Sequence, residues 1–146
     1  MTWKAAMILV IVLLASGCAT YRDDSLVRLQ TLPQHYELFD AKLAWEASTS
    51  AATTTISGVI KNIRYFAMEG VEIQAATLAG DGREIARDTY FVNGIKENEA
   101  VPFILKLPAV SPGSTLRFRY RYIGMEGGGD SGDALTWRQS FDWKIQ

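Results

Sequence analysis

Leu116-Arg117-Phe118-Arg119-Tyr120-Arg121-Tyr122 alternates apolar and charged side chains without a break. A period of two marks a β-strand with one buried and one wet face, because successive side chains project to opposite sides. Downstream, Leu135, Trp137, Phe141, Trp143 and Ile145 alternate with Thr136, Arg138, Ser140, Asp142 and Lys144, and only Gln139 interrupts the apolar face. Upstream, Val101, Phe103, Leu105 and Leu107 repeat the pattern, with Pro102 near the strand start, where a missing ladder donor is tolerated. Glu84 to Val92 forms another run. The Gly80-Asp81-Gly82 cluster joins it to Val71, Ile73 and Ala75, since such a loop supplies the positive φ angles of a tight hairpin. Further back, Thr54 to Asn62 is rich in β-branched residues and carries Ile56 and Ile60 on one face. Phe39, Ala41, Leu43 and Trp45 alternate with Asp40, Lys42, Ala44 and Glu46.

About seven short strands between turn-rich segments predict an all-β fold over residues 36–146, an immunoglobulin-like β-sandwich of antiparallel strands. No helix of normal length is expected within it. A Cys-Trp-Cys pattern is missing, so the packing of Trp45, Phe103, Phe118 and Trp137 must hold the sheets together. Each such aromatic buries about 150–250 Å².

The N-terminus reads differently. Lys4 precedes eleven consecutive apolar residues, Ala5 to Ala15, and small Ser16 and Gly17 follow. A charged start, a short apolar core and small residues before a cut make up a secretory signal, here residues 1–17. Eleven residues of helix reach roughly 16 Å, about half of a bilayer's ~30 Å hydrocarbon core, so this segment is too short to span. The block Ala15-Ser16-Gly17-Cys18 resembles the lipobox of bacterial lipoproteins. That resemblance implies cleavage before Cys18, a diacylglyceryl group on its sulfur and acylation of the new amine. Two or three acyl chains make a durable anchor where one holds only marginally. In the Gram-negative sorting rule that accompanies the resemblance, Ala19 rather than Asp after the cysteine favours the outer membrane facing the periplasm. Residues 18–35 are polar and mixed, and they read as a lipidated tether. Leu26, Val27 and Leu29 leave open a short helical turn or docking on the sheet.

Removal of residues 1–17 leaves 14 basic against 16 acidic side chains, a balance that points away from nucleic acid. What remains is enough for one domain with its own core. The elements Gly58-Val59-Ile60-Lys61-Asn62, Val71-Glu72-Ile73, Gly80-Asp81-Gly82 and Val101-Pro102-Phe103 together resemble the exported FxLYD or water-stress (LEA-14-like) sandwich domains. The resemblance implies an interaction or accessory module without catalysis.

Five features of the sequence are candidate sites. Arg117, Arg119 and Arg121 share one strand face and offer a ladder of guanidinium groups to a lipid phosphate or acidic glycan. The competing reading is cross-strand pairing with acids such as Asp142 or Glu72. Gly129-Asp130-Ser131-Gly132 resembles a serine-protease nucleophile loop, but the chain offers only His35 as base, and a flexible loop over 124–133 is the expectation. Glu126, Asp130 and Asp133 could ligate calcium, although the spacing matches no EF-hand. One histidine and one lipidated cysteine supply no zinc or copper ligand set. Tyr65-Phe66-Ala67-Met68 is an apolar connection expected to pack on the sandwich edge rather than face a partner. No cofactor, metal or catalytic residue is expected. Cys18 is the one residue with assigned chemistry, the membrane is the partner it reaches through lipid, and an envelope protein is the expected partner of the sandwich. Lipid or glycan binding by the arginine face is the alternative, and a hydrolase comes third.

Overall fold

The structure is a computed structural model that describes residues 20–125 and 134–146. A helix, α1 (Thr20–Thr31), is followed by eight strands: β1 (Gln34–Glu37), β2 (Ala41–Thr49), β3 (Thr53–Asn62), β4 (Met68–Leu78), β5 (Glu84–Ile95), β6 (Ala100–Pro108), β7 (Thr115–Met125) and β8 (Ala134–Lys144). They form two four-stranded sheets, β1-β2-β3-β6 and β5-β4-β7-β8, with every pairing antiparallel. The chain crosses between sheets after β3, β5 and β6, as an immunoglobulin-like sandwich requires.

The alternating strands meet face to face. Leu116, Phe118, Tyr120 and Tyr122 are all buried, as are Leu43, Trp45, Ile56, Ile60, Phe103 and Leu105 from the facing sheet. Aromatic contact spans the gap: the Trp45 ring lies 5.0 Å from Phe118 and edge-on to Trp143 at 5.7 Å, while Tyr36 stacks on Phe141 at 3.7 Å. Such pairs add about 0.5–1.5 kcal/mol beyond the area they bury. Gly58 is demanded by this packing. A Cβ there would sit 2.4 Å from Phe103 Cζ and 2.7 Å from the Ala44 carbonyl oxygen, closer than any real contact. The expected hairpin forms at residues 79–83, where Gly82 takes φ +82° and Asp81 Oδ1 accepts the Arg83 N–H.

Several expectations need correction. Eight strands replace about seven, because Gln34–Glu37 adds an edge strand beginning two residues before the expected domain start. Within residues 18–35, where the sequence leaves open a helical turn or docking on the sheet, a twelve-residue helix forms and docks. Leu29 and Leu32 pack on Ala44 and Val59, and Arg28 Nη2 donates to Ser57 Oγ at 2.7 Å, whereas Leu26 and Val27 stay exposed. Ala44, read as a wet-face residue, is therefore buried under the helix. The alternation also fails at its first two members. Residues 39 and 40 form a bend before β2, so Phe39 is 51% exposed and Asp40 is fully buried.

Candidate functional site

The outer face of the second sheet is built by register. β7 places Arg121 between Glu72 and Arg138, Arg119 between Gln74 and Ser140, and Arg117 between Ala76 and Asp142. Arg117 makes a bidentate pair, Nε to Asp142 Oδ1 at 2.7 Å and Nη2 to Oδ2 at 2.9 Å. Arg121 makes the same fork onto Glu72, and Arg119 bonds Gln74 Oε1 at 3.1 Å and pairs with Glu84. The Arg121 hydrogen bonds hold the Glu72 carboxyl below its usual range, against a weaker opposing effect of burial. Arg117 does the same for Asp142. The cross-strand reading is thus the observed one: each of the three guanidiniums already has a partner on its own sheet.

Sequence reasoning missed Arg138. It stands directly opposite Arg121 in the ladder, and among the described residues it has no carboxylate partner. With Glu72, Gln74, Arg119, Arg121 and Ser140 it lines a shallow cavity of about 400 Å³. The charge at 138 was plain in the alternating pattern of the last strand. Its apposition to Arg121 needed the strand register, which no local pattern carries.

A buried polar cluster was also missed. Asp40 accepts hydrogen bonds from the Tyr120 hydroxyl at 2.7 Å and the Tyr122 hydroxyl at 3.0 Å, with all three residues buried. Burial, and then the neighbouring carboxylate, push the Tyr120 hydroxyl far above its usual range. A site sealed in this way ties the bend before β2 to β7 and offers no access to a substrate. Beside it, at the same end of the sandwich, the Arg64 guanidinium carbon lies 4.8 Å from the Phe66 ring, 5.3 Å from Tyr65 and Trp137, and 5.5 Å from Phe39. Phe66 and Met68 are buried while Tyr65 is exposed, so the 65–68 connection packs on the edge as expected and leaves one ring in solvent.

Cys18 and its preceding residues lie outside the described residues, as do Glu126, Gly129, Asp130, Ser131, Gly132 and Asp133. His35 lies exposed on β1 opposite Ala44, and its side chain makes no hydrogen bond among the described residues. Among those residues no three His, Cys, Asp or Glu side chains converge to hold a metal ion, and no helix is long and apolar enough to cross a membrane.

No protein-family model and no curated protein matches the sequence. Solved structures of similar shape include a DUF4426 family protein from Pseudomonas aeruginosa, 17% identical with a TM-score of 0.38, the match covering 77% of this chain and 96% of that one. A protein from Archaeoglobus fulgidus is 11% identical with a TM-score of 0.33 over 77% of this chain and 98% of that one. A β-glucuronidase of glycoside hydrolase family 2 is 12% identical with a TM-score of 0.39 over 67% of this chain, which spans 11% of the enzyme.

Proposed function

We propose that the chain is a non-catalytic lipoprotein of the cell envelope, anchored through lipid on Cys18, whose sandwich serves as a protein-interaction or accessory module of the FxLYD or LEA-14-like kind. The observation that carries the reading is the apolar run Ala5 to Ala15, which leads into Ser16-Gly17-Cys18 and then, after one short helix, into the sandwich. Support for a non-catalytic role comes from the polar groups of the sandwich: Asp40, Tyr120 and Tyr122 satisfy one another inside it, and Arg117, Arg119 and Arg121 are engaged by Asp142, Gln74, Glu84 and Glu72. A lipid phosphate or acidic glycan on the arginine face would have to compete with those carboxylates. Ala19 after the cysteine favours the outer membrane, facing the periplasm, in a cell that has one.

The test is the anchor. Cys18→Ala is expected to stop lipidation and normal maturation, moving the sandwich from the membrane fraction. Mass spectrometry of the wild-type protein should find the N-terminal cysteine carrying acyl chains. Recovery of a mature wild-type chain with an unmodified Cys18 overturns the reading.

A further inference from the structure

The four sheet edges are not alike. β1, at one edge of the first sheet, is only four residues long. β6, at the other, carries Pro102 and Pro108, and its Lys106 N–H is taken by Asp88 Oδ2 of β5 at 2.7 Å. The same contact ties the edge strand β5 to β6. Short strands, prolines and side-chain caps are how sheets blunt an edge. Among the described residues β8 has none of these three, and its edge protection is limited to the charges of Arg138, Asp142 and Lys144. It runs eleven residues without proline, its register with β7 is unbroken, and among the described residues no strand pairs with its far side. Trp137, Phe141 and Trp143 on its inner face are only partly buried.

We propose that the free edge of β8 pairs antiparallel with β8 of a second copy of this chain, about a twofold axis at Ser140, joining two four-stranded sheets into one. A twofold axis normal to a sheet keeps each face with itself, so the axis must pass through a residue position, and only a few registers exist. Charge selects among them. Centred on Arg138 or Asp142, like charges meet their own copies, and centred on Phe141, Arg138 faces Lys144. Centred on Gln139, neither Arg138 nor Asp142 meets a charge. Centred on Trp143, Asp142 faces Lys144, but the strand ends one residue later. Centred on Ser140, Arg138 faces Asp142 of the second copy twice over, Trp137 faces Trp143, and the ladder runs from Thr136 to Lys144. Asp142 already receives the Arg117 fork, and an ionised carboxylate has about four acceptor sites, so it can take a second guanidinium. The arrangement also relieves the Arg138–Arg121 apposition, since like charges directly opposite destabilise a sheet. The inference stands apart from the anchoring reading, because nothing in it involves Cys18.

Cysteine cross-linking of the full chain tests it. Ser140→Cys, sited on the axis, is expected to form a disulfide-linked dimer under mild oxidation. Arg138→Cys is expected to form none, because its two copies would stand roughly 14 Å apart, beyond disulfide reach. The unsubstituted chain, whose single cysteine is Cys18, sets the background. Adding Arg138→Asp to Ser140→Cys should cut the cross-linked fraction several-fold, and Arg138→Lys should leave most of it. Absence of the Ser140→Cys dimer in a chain with native circular dichroism overturns the proposal, as does equal cross-linking at position 138. Sedimentation of the unsubstituted chain gives an independent readout: dimer is expected, and a monomer at every concentration up to hundreds of micromolar overturns it.

Discussion

Asn62 is the side chain on which one end of the sandwich turns. It is fully buried at the end of β3, its Nδ2 donates to the carbonyls of Phe66 at 2.8 Å and Ile95 at 3.1 Å, and its Oδ1 accepts the Arg64 N–H at 2.8 Å. One amide therefore closes the connection between the sheets and pins the end of β5. Losing it strands buried backbone groups that have no water to turn to, at about 1–3 kcal/mol for each such group. Asn62→Ala is expected to lower the unfolding free energy by about 3 kcal/mol, read as a fall in the urea midpoint at unchanged slope. Asn62→Asp, which exchanges the donating NH₂ for an acceptor facing two carbonyls, should cost at least as much. The residue was visible in the Gly58-to-Asn62 motif, but its task was not, because its three partners come from positions 64, 66 and 95. Asp40 was hidden for a related reason. Alternation assigned it to the wet face, and the bend before β2, with two tyrosines eighty residues away, overrode that assignment.

At the scale of elements, the strands were legible and the helix only as one of the alternatives left open. A strand announces itself locally: β7 alternates because one face meets Trp45 and the other meets water. α1 has no comparable stripe, since Leu26 and Val27 face solvent while Ser25, Leu29 and Leu32 turn to the sheet. Its stability comes from docking, as expected for an isolated helix of three turns. The dock is small, comprising Leu29 and Leu32 on Ala44, Val59 and Ala100, together with the Arg28–Ser57 hydrogen bond. Leu32→Ala should cost about 2 kcal/mol, at the low end for a core leucine because the site lies at the margin and can collapse. The more specific expectation is local. In Leu32→Ala, hydrogen exchange over Thr20–Thr31 should quicken well before the sandwich strands respond, since α1 opens as a unit of its own. Equal acceleration in β3 and β7 would show that helix and sandwich unfold together.

The whole molecule combines an aromatic interior, in which the buried Asp40 is held by two tyrosine hydroxyls, with a second sheet whose outer face is ordered by charge. That sheet's order was only half legible: the arginine ladder and its acids Glu72 and Asp142 stood in the sequence, while Glu84 beside Arg119, and Arg138 without a carboxylate partner among the described residues, required the register. Its electrostatics set the molecule's response to acid. Glu72 and Asp142 titrate below their unfolded values because arginine hydrogen bonds favour the ionised form. A depressed carboxyl pKa contributes stability that is present above the unfolded pKa, near 4, and lost as pH falls through the lower folded value. Stability should therefore be level from pH 7 to about 5 and decline below about 4. Both pairs are partly open to solvent, so the decline should be modest and should shrink in about 0.5 M salt. The double variant Glu72→Gln, Asp142→Asn is expected to lie below the wild type at neutral pH and to converge on it at pH 2, with denaturation midpoints as the measurement. Parallel curves at every pH would mean that the forks order the sheet without stabilising it, and that the acid sensitivity arises elsewhere in the fold.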